Sequence, residues 1–366
     1  MADGSHVSSF SSIRRSLVWL ALGAMLLAAG SGCWVPYVID LGMGELAVLF
    51  NSSPITDVLA AGGLDLNAET KLRYVLDVRS YAVDVLGLNG GDSYLTYHDS
   101  GEGDVLYNVS ACRKDRFEPH VWTFPIVGTL EYIGFFDECQ AHSYGRWLEA
   151  NGWDVYLYPP AGYSTLGWFP DPLFRAALDR DVIDLADLVI HEFTHNTAYK
   201  PGNSVFNESL ATFVGRTGTL AYLADRFGQD NGVLAFALKR WQDTDLYNRF
   251  WYELYAALEA LYGRQDLTSD QKIARREEVF DEFKQRFRDD YLPEFHDPER
   301  YAGLTALEFD NALVMIHRRY NLDLDLFQAV YDALGQDLPA AIRVFTASAG
   351  ADDPKQYLRD WLATRQ

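Results

Sequence analysis

Residues 182–214 read VIDLADLVIHEFTHNTAYKPGNSVFNESLATFV. Leu185, Leu188, Val189 and Ile190 recur at helical spacing ahead of His191-Glu192-Phe193-Thr194-His195, so the pattern predicts a buried helix carrying that pentapeptide. Lys200-Pro201-Gly202-Asn203 interrupts it, because Pro and Gly do not continue a helix. A second helix follows, with Val205, Phe206, Leu210, Phe213 and Val214 on its apolar face. The same period runs on after Asp181 almost to the end, broken at Gly228–Gly232, Thr268–Asp270, Leu292–Pro298 and Gly335–Pro339.

The pentapeptide has the HExxH pattern of zinc hydrolases. On a helix, residues four apart share a face, so His191 and His195 can converge on one metal ion. Glu192 lies a quarter-turn round, within reach of an activated water as general base. Two imidazoles and a carboxylate on so apolar a helix demand partners, since unpaired buried polar groups are costly. Glu208, 13 residues beyond His195 on the second helix, is the natural third ligand. Two His and one Glu leave a fourth position open to water, as a catalytic Zn2+ site with one ion requires. A further donor must meet the developing oxyanion. The candidates are Tyr163, in the loop Gly162-Tyr163-Ser164-Thr165-Leu166-Gly167-Trp168, and Tyr199; Tyr163 is preferred.

Working outward, the 366 residues are 48% apolar and 23% charged, which excludes a largely disordered or collagen-like chain. Residues 31 Lys+Arg against 52 Asp+Glu give a net charge of −21, which repels nucleic acid and anionic membrane surfaces. With only Cys33, Cys112 and Cys139, a zinc site of paired cysteines is excluded. Arg14 and Arg15 precede an apolar run from Leu17 to Ala29, the layout of a secretory signal too short to span a bilayer. Ala29-Gly30-Ser31-Gly32-Cys33 resembles a bacterial lipobox, so residues 1–32 are read as a signal peptide and Cys33 as the lipidated residue. A plain cleaved signal and a short uncleaved anchor are the alternatives. The expected location is the cell envelope, in the periplasm or at the outer membrane, with the bilayer as a partner through the acyl chains. In that oxidising compartment Cys112 and Cys139 either form a disulfide or stay as two buried thiols.

The remainder, 33–366, reads as one unit with a mixed α/β half (33–180) and a helical half (181–366). A helix starts near Asn67 and stops at Gly87. Short runs at Ser93–Tyr97, Val105–Ala111, Val121–Val127 and Tyr132–Phe136 predict a small sheet, at least partly antiparallel. A helix over Glu138–Ala150 and a strand over Asp154–Leu157 follow. The fold class is therefore α+β and mostly helical. His98, His120, His142, His296 and His317 have no partner at ligand spacing and read as surface or hydrogen-bonded residues. Phe250–Leu261 reads as helix core, and the run Lys272–Arg288 as a solvated helix face.

Asn108-Val109-Ser110-Ala111, Phe124-Pro125-Ile126-Val127-Gly128, Tyr163–Phe169 with Asp171-Pro172, and the zinc motif with Phe206-Asn207-Glu208-Ser209 together resemble a bacterial family of predicted aminopeptidases. Phe309-Asp310-Asn311-Ala312 extends the likeness into the tail. The resemblance implies an exported, often lipid-anchored, zincin-like metallopeptidase of the glutamate-ligand type, acting on peptide substrates. It implies His191, His195 and Glu208 as ligands and Glu192 as base. Two other functions remain open on the same residues. One is an endopeptidase or amidase acting on another substrate, such as peptidoglycan peptides. The other is a non-catalytic binding lipoprotein with a structural metal.

Overall fold

The computed structural model describes residues 35–101, 106–124, 128–159, 170–320 and 324–365. By packing, the chain divides into Met1–Ser52 and Ser53–Gln366. The described part of the first unit is a helix, α1 (Val35–Phe50). The signal peptide and Cys33 lie outside the described residues. No helix among the described residues is long and apolar enough to cross a membrane.

The second unit is α+β and mostly helical. After β1 (Ser52–Pro54) and α2 (Ile55–Ala61), helix α3 spans Leu66–Asp84. It begins two residues earlier than Asn67 suggests, because the Asp65 carboxylate accepts the Ala68 N–H and caps it. Leu72, Val75, Val78 and Ala82 bury its inner face.

Three small sheets follow. β2 (Thr96–His98) runs parallel to β8 (Leu173–Phe174), a short strand the sequence does not announce. β3 (Tyr107–Arg113) is flanked antiparallel by β6 (Ile133–Phe135) and β7 (Trp153–Tyr158). β4 (Trp122–Phe124) pairs antiparallel with β5 (Gly128–Leu130). The sheet content is thus mixed. The run expected to begin a strand at Ser93 instead turns at Tyr94, whose φ of 58° no strand accommodates, and pairing starts only at Thr96. Helix α4 (Glu138–Ala150) has the expected bounds; its Asp137 cap accepts the Gln140 N–H, and it packs on β3 and β7.

The helical half holds α5 (Val182–Thr197), α6 (Ser204–Phe227), α7 (Gly232–Tyr262), α8 (Ser269–Arg286), α9 (Asn311–Tyr320), α10 (Leu324–Ala333), α11 (Leu338–Ala349) and α12 (Pro354–Ala363). One apolar core joins α3, α5, α6 and the last three helices; a second, rich in Phe, joins the distal part of α7 to α8 and α9. Phe250, Trp251, Leu254 and Leu258 lie in that second core, as their helical spacing requires.

Arg276 departs from the solvated face expected for its run. It is 5% exposed and forms a two-pronged ion pair with Asp154 of β7, at 2.5 and 3.1 Å. The same Asp154 carboxylate accepts the Asn311 N–H, and the Asn311 side chain accepts a hydrogen bond from the Tyr262 hydroxyl at 2.8 Å and donates to Arg113 O. This network ties the three-stranded sheet to α7, α8 and α9. It gives the 309–312 stretch a structural purpose.

Of the two alternatives left open for Cys112 and Cys139, the disulfide is not formed: both are free thiols. Cys112 faces Ala312 and Met315 of α9 from inside β3, where burial pushes its thiol up to about 12. Cys139 sits in the first turn of α4 and is exposed, so the alternative of two buried thiols holds for Cys112 alone.

Candidate metal centre

Helix α5 starts where Asp181 accepts the Ile183 and Asp184 N–H groups. Arg240 of α7 pairs with both Asp181 and Asp184, anchoring that end. Leu185, Val189, Ile190 and Phe193 are fully buried, which fixes the rotation of the helix about its axis. After the Lys200–Asn203 turn, Asn203 caps α6 by accepting the Phe206 N–H. Asn207 then clasps the turn: its side chain accepts the Lys200 N–H at 2.8 Å and donates to Lys200 O at 2.9 Å. With the turn held from both sides, the next residue, Glu208, has one place to go.

That place is against the two imidazoles. Nε2 of His191 and Nε2 of His195 each lie 3.4 Å from the same Glu208 oxygen, Oε2. The rings are 4.9 Å apart and nearly perpendicular. Among the described residues this is the group of His, Cys, Asp and Glu able to hold a metal ion, its ligand atoms all within 4.8 Å of one another. The spacing is informative. A direct ion pair between a charged nitrogen and a carboxylate closes to about 2.7–2.9 Å. Tetrahedral ligands at zinc bond lengths of about 2.0–2.1 Å stand about 3.3–3.4 Å apart. The two contacts to Glu208 therefore have the separation that neighbouring ligands of one zinc ion take. His195 and Glu208 are each 8% exposed, so the cluster is almost out of water. His195 Nδ1 is buried with no hydrogen-bond partner among the described residues.

Charge in so dry a site shifts every group. Burial alone would lower the His191 pKa, yet the Glu208 hydrogen bond and the charges of Glu192, Glu208 and Asp187 raise it to about 9. Burial would raise Glu208, but the His195 charge and the bonds from both imidazoles carry it below the usual carboxylate range. Burial raises Glu192, against the opposing pull of His191 and His195. A carboxylate with increased proton affinity beside the cluster is suited to accept a proton near neutral pH.

Sequence reasoning missed the brace on the other side of α5. Residues 88–94 wrap its carboxy-terminal half. Asn89 N–H donates to Thr197 Oγ1 at 2.8 Å, and its side chain donates to Asn196 O. Arg79 donates to Ser93 O and Gly91 O. Gly90 lies against the Phe193 ring, where any Cβ would fall 2.6 Å from Cε2. Tyr94 stacks on Phe193 with centroids 5.8 Å apart, and its N–H donates to Asp171 O at 2.7 Å. The signal available was the Asn89-Gly90-Gly91 cluster, which reads only as a helix stop.

Of the proposed oxyanion donors, Tyr163 lies outside the described residues. Tyr199 is half-buried, and burial together with the Glu208 charge pushes its phenol up to about 12. The remaining histidines are engaged elsewhere: His120 is sandwiched between Trp122 and Trp153, His317 is stacked on Trp251 at 4.0 Å, His98 meets Phe174 edge-on, and His296 is bonded to Gln242. Exposed His142 stands 3.7 Å from Glu138 on its own helix.

The α+β chain thus brings two His and one Glu from adjacent helices into one candidate metal centre. The family described as "Putative aminopeptidase" matches residues 36–357, nearly the whole chain, and the protein belongs to it. No curated protein and no solved structure matches the chain.

Proposed function

We propose that the protein is an exported zinc peptidase of zincin-like architecture that removes amino-terminal residues from peptides, anchored to a membrane through lipidated Cys33. The single observation that carries the metal reading is the pair of 3.4 Å distances from the two Nε2 atoms to one Glu208 oxygen. The family assignment supports the peptidase reading.

His191, His195 and Glu208 would hold one zinc ion. When bound, that ion lowers the pKa of water and polarises the scissile carbonyl. Glu192 takes the proton of the attacking water and returns it to the leaving amine. Tyr199, a phenol that stays protonated, is the described candidate to donate to the oxyanion, with Tyr163 the other. The dry surroundings strengthen each of these interactions.

The test compares the full chain, loaded with zinc, against Glu192→Gln on aminoacyl substrates and amino-blocked peptides. Cleavage of free-amine substrates by the wild type alone is expected. Equal rates for both proteins would end the enzyme reading. Hydrolysis confined to blocked peptides would replace the aminopeptidase with an endopeptidase or amidase.

A further inference from the structure

Helix α5 carries one more acid on the ligand face. Asp187 stands four residues before His191, one turn nearer the amino end and on the same side. Its neighbours in the chain, Ala186 and Leu188, are buried apolar residues, and it does not belong to the ligand group itself. The facing element makes room for it. A Cβ on Gly215 of α6 would lie 2.6 Å from Asp187 Oδ1 and 3.3 Å from His191 Cβ. Only glycine there leaves the carboxylate and the base of the imidazole side by side in the seam between α5 and α6.

Asp187 Oδ1 is out of contact with solvent and has no hydrogen-bond partner among the described residues. Leaving such an acceptor unfilled is costly, and more so for a charged group. An acid kept at that cost, with room made for it across the seam, needs a purpose.

The ligand chemistry supplies one. Both imidazoles turn Nε2 toward Glu208. Ligation through Nε2 leaves Nδ1 protonated, and that N–H ordinarily donates to a carboxylate, a carbonyl or water, which fixes the tautomer and makes the ligand more basic. For His191 a carboxylate stands one turn away on its own helix.

We propose that Asp187 is a positioning residue for His191: when the metal is bound, its carboxylate holds the imidazole in the tautomer and orientation that present Nε2, and Gly215 is the gap that admits it. This rests on the zinc reading above. The test uses the metal-free full-length protein, as wild type, Asp187→Asn and Asp187→Ala, titrated with zinc against a chromophoric chelator. The melting temperature of each metal-free protein is measured alongside. Both variants are expected to bind zinc about 10–100-fold more weakly. The metal-free Asp187→Asn protein should melt no lower than wild type, since it loses an unfilled carboxylate and keeps its shape. In the zinc-loaded wild type, a downfield imidazole N–H proton resonance that His191→Ala abolishes should move upfield in Asp187→Asn. Unchanged zinc affinity in both variants would overturn the assignment, as would a loss of affinity matched by a fall in metal-free stability. A wild type that binds no zinc at all would instead remove the reading on which the assignment rests.

Discussion

Two buried polar clusters hold this protein's helices, and they are built on opposite rules. In the first, Asp154, Arg276, Asn311 and Tyr262 close on one another at 2.5–3.1 Å. In the second, His191 and His195 reach Glu208 only through longer contacts of 3.4 Å, with His195 Nδ1 and Asp187 Oδ1 unpartnered among the described residues. A polar network that serves structure is satisfied by its own members, because each missing bond costs stability. One with longer contacts and unpartnered buried atoms has room for a further group, as the proposed metal site requires. The contrast sets the clamp apart from the candidate centre on geometry alone.

Changes at the two clusters should therefore fail differently. The largest expected effect is on turnover: Glu192→Gln should lower kcat by about 10²–10⁴-fold while zinc content stays at one ion per chain. Removing one member of the clamp should act on folding alone. Arg276→Met leaves the Asp154 carboxylate buried and unpaired, with an expected loss of about 3–5 kcal/mol in denaturant unfolding. Its bound zinc per folded molecule should match wild type, and weakened zinc binding there would blur the distinction. Asn207→Ala is intermediate. It removes both bonds that clasp the Lys200 turn and leaves that peptide unfilled, an expected cost of about 1–3 kcal/mol. Because Glu208 follows directly, zinc affinity should fall as well.

A pH-dependent effect sharpens the clamp's edge. Asp310, at the start of α9, accepts the Leu313 N–H, yet burial and the charge of Asp154 raise its carboxyl to about 7. An acid whose pKa is higher folded than unfolded binds its proton more tightly in the folded state, so stability is lost as pH rises from about 4 to about 7. Asp310→Asn keeps a capping side chain and removes that penalty. Its melting temperature should equal wild type at pH 4 and exceed it by a few degrees at pH 8. An equal difference at both values would show that the charge is not the cause.

The candidate centre was legible because its information is local. His191, Glu192 and His195 share one helical turn, and Glu208 follows after a turn marked by Pro201-Gly202. Helix α4 was legible to the residue because Asp137 and the apolar period agree. What stayed hidden depends on contacts distant in sequence. Arg276 meets a carboxylate 122 residues away, so a basic residue in a charged run looks solvated until the fold brings Asp154 to it. The turn at Tyr94 is imposed by the Asp171 carbonyl and the Phe193 ring, against the strand preference of its own residues. Cys112 and Cys139 differ in burial because one faces a helix packed on the sheet and the other opens a helix at the surface.

Zinc titration of the metal-free full-length chain by calorimetry, with Glu208→Ala beside the wild type, addresses the claim that two adjacent helices assemble a three-ligand cation site. One equivalent bound by the wild type, with that binding lost when the Glu208 carboxylate is removed, is the expected result. Saturation unchanged without that carboxylate, or no uptake by either protein, would contradict it.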